Sequence, residues 1–159
     1  MKKLLVAIDG SECSLRAVDF VGRQFAALDG LRVTLLHILP GVPAELWDDG
    51  HILTPEERSA RQKVLDKWLA NRDAGVKPLF ERAGSMLARR GFDPRCIETR
   101  SVPEEGDIAE GILNAARADG YDMLVVGRHG RSKVQRFLLG SVATKIINHA
   151  EHVAVCVVE

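Results

Sequence analysis

The chain contains no G-x-x-x-x-G-K-[ST] run and no G-x-G-x-x-G, so it has neither the phosphate-cradling P-loop nor the glycine fingerprint of dinucleotide binding. Cysteine is scarce. Cys13, Cys96 and Cys156 are odd in number, far apart and outside C-x-x-C spacing, which argues against a disulfide framework or a zinc site and for reduced structural thiols. Cys13 falls near a helix start and Cys156 inside an apolar run, where a place in the core is expected. Net charge is absent too: 22 Lys and Arg balance 22 Asp and Glu, leaving no general attraction for polyanions, so nucleic acid is not an expected partner. The first apolar run, residues 4–8, stops at Asp9, too short for a signal peptide or a membrane span. A cytoplasmic location without a membrane partner is expected. His149 and His152 stand near a helix end without further ligands and make no metal site.

What is present fits one domain, 1–159, with its own core: 46% of residues are hydrophobic and 28% charged. Residues 3–8 read as a buried strand. Asp9-Gly10-Ser11 then turns the chain into a helix with apolar positions Ala17, Val18, Val21, Phe25 and Leu28, ended by Gly30. Residues 32–39 form a second strand closed by Pro40-Gly41. Residues 42–54 show no period and read as a long loop containing Leu46, Trp47 and Ile52, to which no ligand role is assigned. Thr54-Pro55-Glu56-Glu57 is a capping-box helix start, and Val64, Leu65, Trp68 and Leu69 form the expected buried stripe. Gly75 and Pro78 are expected to interrupt or kink this helix, after which Leu79, Phe80, Ala83, Met86 and Leu87 carry an apolar face towards Gly91. Residues 96–102 alternate apolar with polar, as an edge strand does. Asp107-Ile108-Ala109-Glu110 repeats the capping-box pattern before a helix carrying Ile112, Leu113, Ala116 and Ala118. A strand at 122–126, a helix at 141–148 and a strand at 153–158 follow.

Strands alternating with helices predict a parallel sheet covered on both faces. Ligands bind such sheets beyond the carboxyl ends of the strands, where the winding direction reverses. If the first and fourth strands are neighbours, Asp9, Ile38 and Gly127 border one crevice.

The densest signal is Gly127-x2-Gly130-x9-Gly140-Ser141, set between the fourth strand and the following helix. The connection is longer than usual strand-to-helix loops, and Gly127 and Gly130, lacking a Cβ, can take positive φ and let backbone amides approach an anion without side-chain obstruction. The first amides of the helix after Gly140, with the Ser141 hydroxyl, add donors where the helix dipole is positive. The same residues also suit ordinary turn chemistry with Ser141 as an N-cap.

With these residues laid out, the chain resembles the universal stress protein family over nearly its full length. The resemblance rests on Ala7-Ile8-Asp9-Gly10-Ser11, His37-Ile38, Gly106-Asp107-Ile108 and the glycine spacing above, which marks the ATP-binding branch. It implies an α/β fold of the adenine nucleotide alpha-hydrolase-like kind: a single-domain, doubly wound sheet of five parallel strands, order 3-2-1-4-5, with helices on both faces. It also implies a homodimer joined through the C-terminal strand, 153–158. That strand is uncharged and high in β propensity, an edge that needs covering.

Carried over by position, the resemblance implies that the Ile38 backbone meets adenine and that Ala7, Ile8 and Asp9 line the adenine and ribose end. Gly127 would approach the ribose, and Gly130, Gly140, Ser141 and Val142 would hold phosphates. The candidate binding set is Ala7, Ile8, Asp9, Ile38, Val126, Gly127, Arg128, His129, Gly130, Arg131, Gly140, Ser141, Val142 and Ala143. No catalytic or metal residue is assigned. Asp9 before Gly-Ser is equally an ordinary turn residue. Arg128, Arg131, Lys133 and Arg136 make the loop basic, which suits a triphosphate or a solvated surface alike, and His129 is either a phosphate donor or solvent-facing.

The function implied is an ATP-binding stress-response regulator that changes loop order or affinity for an unidentified protein partner. Mg2+ or Mn2+ would be held through the phosphates. Little or no hydrolysis is expected, because no positioned base is evident and Asp9 falls towards the nucleoside end. The alternatives are a slow ATPase or adenylyl- or phosphoryl-transferring enzyme in the same cleft, and a nucleotide-free dimeric scaffold.

Overall fold

The computed structural model describes residues 2–43, 54–104, 106–130 and 139–159. The residues expected to cover something in the 42–54 loop (Leu46, Trp47, Ile52), and Arg131, Lys133 and Arg136 of the glycine loop, lie outside them.

Among the described residues five strands and four α-helices alternate: β1 (Lys3–Ala7), α1 (Glu12–Phe25), β2 (Arg32–Leu39), α2 (Pro55–Arg89), β3 (Ile97–Pro103), α3 (Ile108–Ala118), β4 (Met123–Gly127), α4 (Ser141–His149) and β5 (Ala154–Val158). The strands form one sheet in the order β3-β2-β1-β4-β5, every pairing parallel. The expected order is therefore observed. β1 sits at the centre, with Ala7 opposite Leu36 of β2 and Val6 opposite Val125 of β4.

Alternation along the central strands divides the core into two layers. Leu4, Val6 and Val125 pack with Val18 and Val21 of α1 and Ala83 and Leu87 of α2. Leu5, Leu124 and Val126 pack on the opposite face with Ile112 and Leu113 of α3 and Ala143 and Ile146 of α4. Successive side chains point to opposite faces, so a strand buried on both sides must be apolar throughout. β3 occupies an edge, in keeping with its alternating sequence.

Helix α2 departs most from expectation. Thr54 caps it with both halves of the capping box, but Gly75 and Pro78 do not interrupt it, and it runs 35 residues. Pro78 removes one intrahelical hydrogen bond, and burial of Val76, Ala83 and Leu87 on the sheet outweighs that loss. At about 1.5 Å per residue α2 is roughly 50 Å long, against about 25 Å for the longest strand, so only part of it can lie over the sheet. This explains why the stripe expected to be buried is not: Val64 is 53% exposed, and Leu65, Trp68 and Leu69 are only half-buried. Leu28 and Ala118 are likewise exposed, because α1 ends at Phe25 and Ala118 closes α3, where Ala115 and Ala116 take the buried positions.

Candidate functional site

A cavity of about 390 Å³ opens at the carboxyl ends of β1, β2 and β4, under the starts of α3 and α4. Its size falls within the range of about 300–1,000 Å³ usual for small-ligand pockets. A more open depression of about 500 Å³ lies along the first turns of α2, lined by Pro55, Arg58, Ser59, Gln62 and Lys63.

Each element supplies the cavity with the residues at its end. β1 and its turn contribute Ala7, Ile8 and Asp9, β2 contributes Ile38, and β4 with its loop contributes Val126, Gly127, Arg128, His129 and Gly130. Gly140, Ser141, Val142 and Ala143 complete it from α4. All the candidate residues within the described chain therefore meet at one place. The sequence reading missed Ser14, Leu36, His37, Pro40, Glu104, Ile108 and Ile112, which also line the cavity. Their visible signal was position: Pro40 and Glu104 follow strand ends, and Ile108 opens α3.

The glycines act through the side chain they lack and not through positive φ. Neither Gly127 nor Gly130 takes a positive φ; in the turn after β1 it is Gly10 that does, at 83°. A Cβ on Gly127 would lie 2.7 Å from the Cys13 carbonyl carbon and 2.8 Å from the Ser14 nitrogen, so this glycine lets β4 abut the first turn of α1. A Cβ on Gly130 would stand 3.0 Å from Asp9 Oδ2, and one on Gly140 would stand 3.1 Å from the Arg128 carbonyl oxygen. The Gly140 N–H donates to that same oxygen at 2.9 Å, folding the loop back on itself.

Gly140, not Ser141, is the N-cap of α4, and it offers no side chain to the helix. The first intrahelical bond runs from the Thr144 N–H to the Gly140 carbonyl at 2.9 Å. The amides of Ser141, Val142 and Ala143 thus have no partner within the helix, at its positive end and beside the cavity.

Asp9 is divided between two tasks. Its Oδ1 accepts the Ser11 N–H at 2.9 Å, the turn role, while Oδ2 faces Gly130. The carboxylate therefore lies against the glycine loop. Buried Ser14 braces the turn: its hydroxyl donates to the Ser11 carbonyl at 3.0 Å and lies 3.4 Å from the Asp9 nitrogen. On the other side, His37 Nδ1 donates to the Ile8 carbonyl at 2.6 Å, which assigns the ring proton to that nitrogen.

The charge around the site is engaged. The Arg128 guanidinium pairs with the Glu159 carboxylate, and Arg16 Nε donates to the Glu159 carbonyl at 2.8 Å. Lys145 on α4 bridges Asp107 at 3.3 Å and Glu110 at 3.2 Å, tying together the two helices above the cavity. The Glu110 backbone N–H and then Lys145 hold the Asp107 carboxyl below its ordinary value, and the Glu110 carboxylate followed by Asp107 raises Lys145. All three cysteines are half-buried thiols, and burial pushes the Cys156 thiol up. Cys156 packs against the core from an edge strand, short of the full burial expected of it. Among the described residues no group of three or more His, Cys, Asp or Glu is placed to hold a metal, and no helix is long and apolar enough to cross a membrane.

Comparison with known proteins agrees with this architecture. The universal stress protein YxiE of Bacillus subtilis is 29% identical over 147 residues, covering 91% of this chain and 90% of the relative. Among solved structures, a universal stress protein in complex with cAMP superposes with a TM-score of 0.67 at 22% identity, over 99% of this chain and 97% of that one. The universal stress protein of Archaeoglobus fulgidus in complex with dAMP gives 0.63 at 21% identity, over 100% and 98%. These likenesses show that the fold is shared. The family model for the universal stress proteins matches residues 1–158, and the chain belongs to that family.

Proposed function

We propose that this chain acts as one domain, 1–159, and binds an adenine nucleotide in the cavity as the signal for a regulatory, stress-responsive role. The observation that carries this reading is the polarity of the cavity. Ala7, Leu36, Ile38, Val126 and Ile112 form an apolar wall suited to a flat base, and the amides of Ser141, Val142 and Ala143 with the glycine loop form an anion-binding end. The cradle fits the group, because Gly130 and Gly140 keep it clear of side chains that would meet Asp9 and Arg128. The solved relatives with cAMP and dAMP support an adenine ligand.

In this reading Ile38 meets the base, Ala7, Ile8 and Asp9 border the base and sugar, Gly127 approaches the sugar, and Val126 and Ala143 close the floor. Gly130, Gly140, Ser141 and Val142 take the phosphate, with Arg128, His129 and Arg131 on the loop around it. ATP would enter with Mg2+ or Mn2+ neutralising its phosphates. The protein acts in the cytoplasm as a homodimer through residues 153–158 and changes its affinity for a protein partner when the ligand binds. Calorimetric titration with AMP, cAMP and ATP, each with and without magnesium, tests the reading. Binding is expected in the micromolar range, and its absence at millimolar nucleotide rejects the proposal.

One observation favours a second reading, slow hydrolysis or transfer: Asp9 Oδ2 faces the phosphate end of the cavity. Sustained phosphate release that disappears in Asp9→Asn while nucleotide still binds would support it.

A further inference from the structure

Resting on the nucleotide reading, we infer that Glu104 sets base selectivity, accepting from a 6-amino purine and rejecting a 6-oxo one. Glu104 follows β3, on the far side of the cavity from the glycine loop. In the sheet order β3-β2-β1-β4 three strand spacings separate the two, roughly 14 Å at about 4.8 Å each. A ligand whose anionic end lies on the Gly130 and Ser141 amides therefore extends its other end towards Glu104.

The surroundings of Glu104 are those of a base edge. Ile38 and Ile108 line the cavity beside it, and Ile108 is 40% exposed, leaving apolar surface for a planar ring to cover. The backbone fixes the residue: the Glu104 N–H donates to the Leu39 carbonyl at 2.9 Å, continuing the β2–β3 ladder past Pro103. One carboxylate oxygen, Oε2, accepts the Gly41 N–H at 3.3 Å. The other, Oε1, has no hydrogen bond among the described residues.

An ionised carboxylate only accepts. It takes a hydrogen bond from the exocyclic amino group of adenine, and it meets the O6 of hypoxanthine with like polarity. A site built to receive a donor rejects the analogue lacking it far more strongly than an apolar pocket rejects a change of size.

The test is calorimetric titration of three 5′-monophosphates that differ at position 6, IMP carrying a hydrogen on N1 as well: AMP, purine riboside monophosphate and IMP. The wild-type protein is expected to bind them in that order, with AMP tighter than IMP by on the order of tenfold to a hundredfold. Glu104→Gln keeps an acceptor for Gly41 and adds a donor for O6, so the AMP-to-IMP ratio is expected to fall to within about threefold. Equal wild-type affinities, or a ratio that survives Glu104→Gln, would overturn the inference and leave the nucleotide reading standing. Failure of all three ligands to bind wild-type protein at millimolar concentration would overturn both. If Glu104→Gln does not fold, Glu104→Ala gives the second readout: its AMP-to-IMP ratio is expected to fall likewise, and a ratio that survives overturns the inference.

Discussion

Asp9 and Gly130 lie against each other in the wall of the cavity: a Cβ on Gly130 would lie 3.0 Å from Asp9 Oδ2, while Oδ1 of the same carboxylate is held by the Ser11 N–H at 2.9 Å. The absent side chain at 130 leaves room for that carboxylate.

Gly130→Ala is expected to narrow that gap at little cost to the fold. Nucleotide affinity should fall about tenfold, with unfolding free energy within about 1 kcal/mol of wild type, since the change lies on a loop. Calorimetry and chemical denaturation read the two effects separately, and an unchanged affinity would remove Gly130 from the site.

Gly127→Ala should do the opposite. Its new methyl would meet backbone atoms of Cys13 and Ser14 at 2.7 and 2.8 Å, and backbone in a helix's first turn cannot swing aside as a flexible side chain does. A loss of about 1–3 kcal/mol is expected from overpacking, read as a lower urea midpoint.

Acid should weaken the fold through Asp122. Its carboxylate accepts the Lys2 N–H at 2.6 Å and the Lys3 N–H at 2.9 Å, and these two bonds lower it from the ordinary value of 3.8. A carboxyl lowered in the folded state contributes stability above its unfolded value and loses it as pH falls through the folded one. The melting temperature should therefore drop as pH is taken from 5 to below 3.8, and Asp122→Asn should flatten that slope.

The proposed dimer is open to test at Val155, half-buried in edge strand β5. Val155→Lys places a charge on an edge that a second copy would cover. Wild type is expected to sediment as a dimer and the variant as a monomer with native circular dichroism. A monomeric wild type would remove the interface.

Much of the architecture was legible before any coordinates. The apolar runs of β1 and β4, the alternation of β3, and the caps at Thr54 and Asp107 are local patterns, and local patterns survive folding because they answer to backbone geometry. The errors came where a distant surface decides. Nothing near Val64 says that the sheet stops short of it, and nothing near Pro78 says that Val76, Ala83 and Leu87 will hold the helix through it. Glu104 was passed over because only the β2–β3 pairing brings the end of β3 beside Ile38.

The amino-acid order by itself determined the alternation of strands and helices, the two-sided burial of the central strands and the glycine spacing of the loop, since periodicity and the lack of a Cβ are properties of residues. Tertiary structure alone decided what the glycines are for: Gly127 admits α1, Gly130 faces Asp9, and Gly140 leaves α4 without a side-chain cap. A missing side chain records only that something comes close, and what comes close is settled by the packing of elements far apart in the chain.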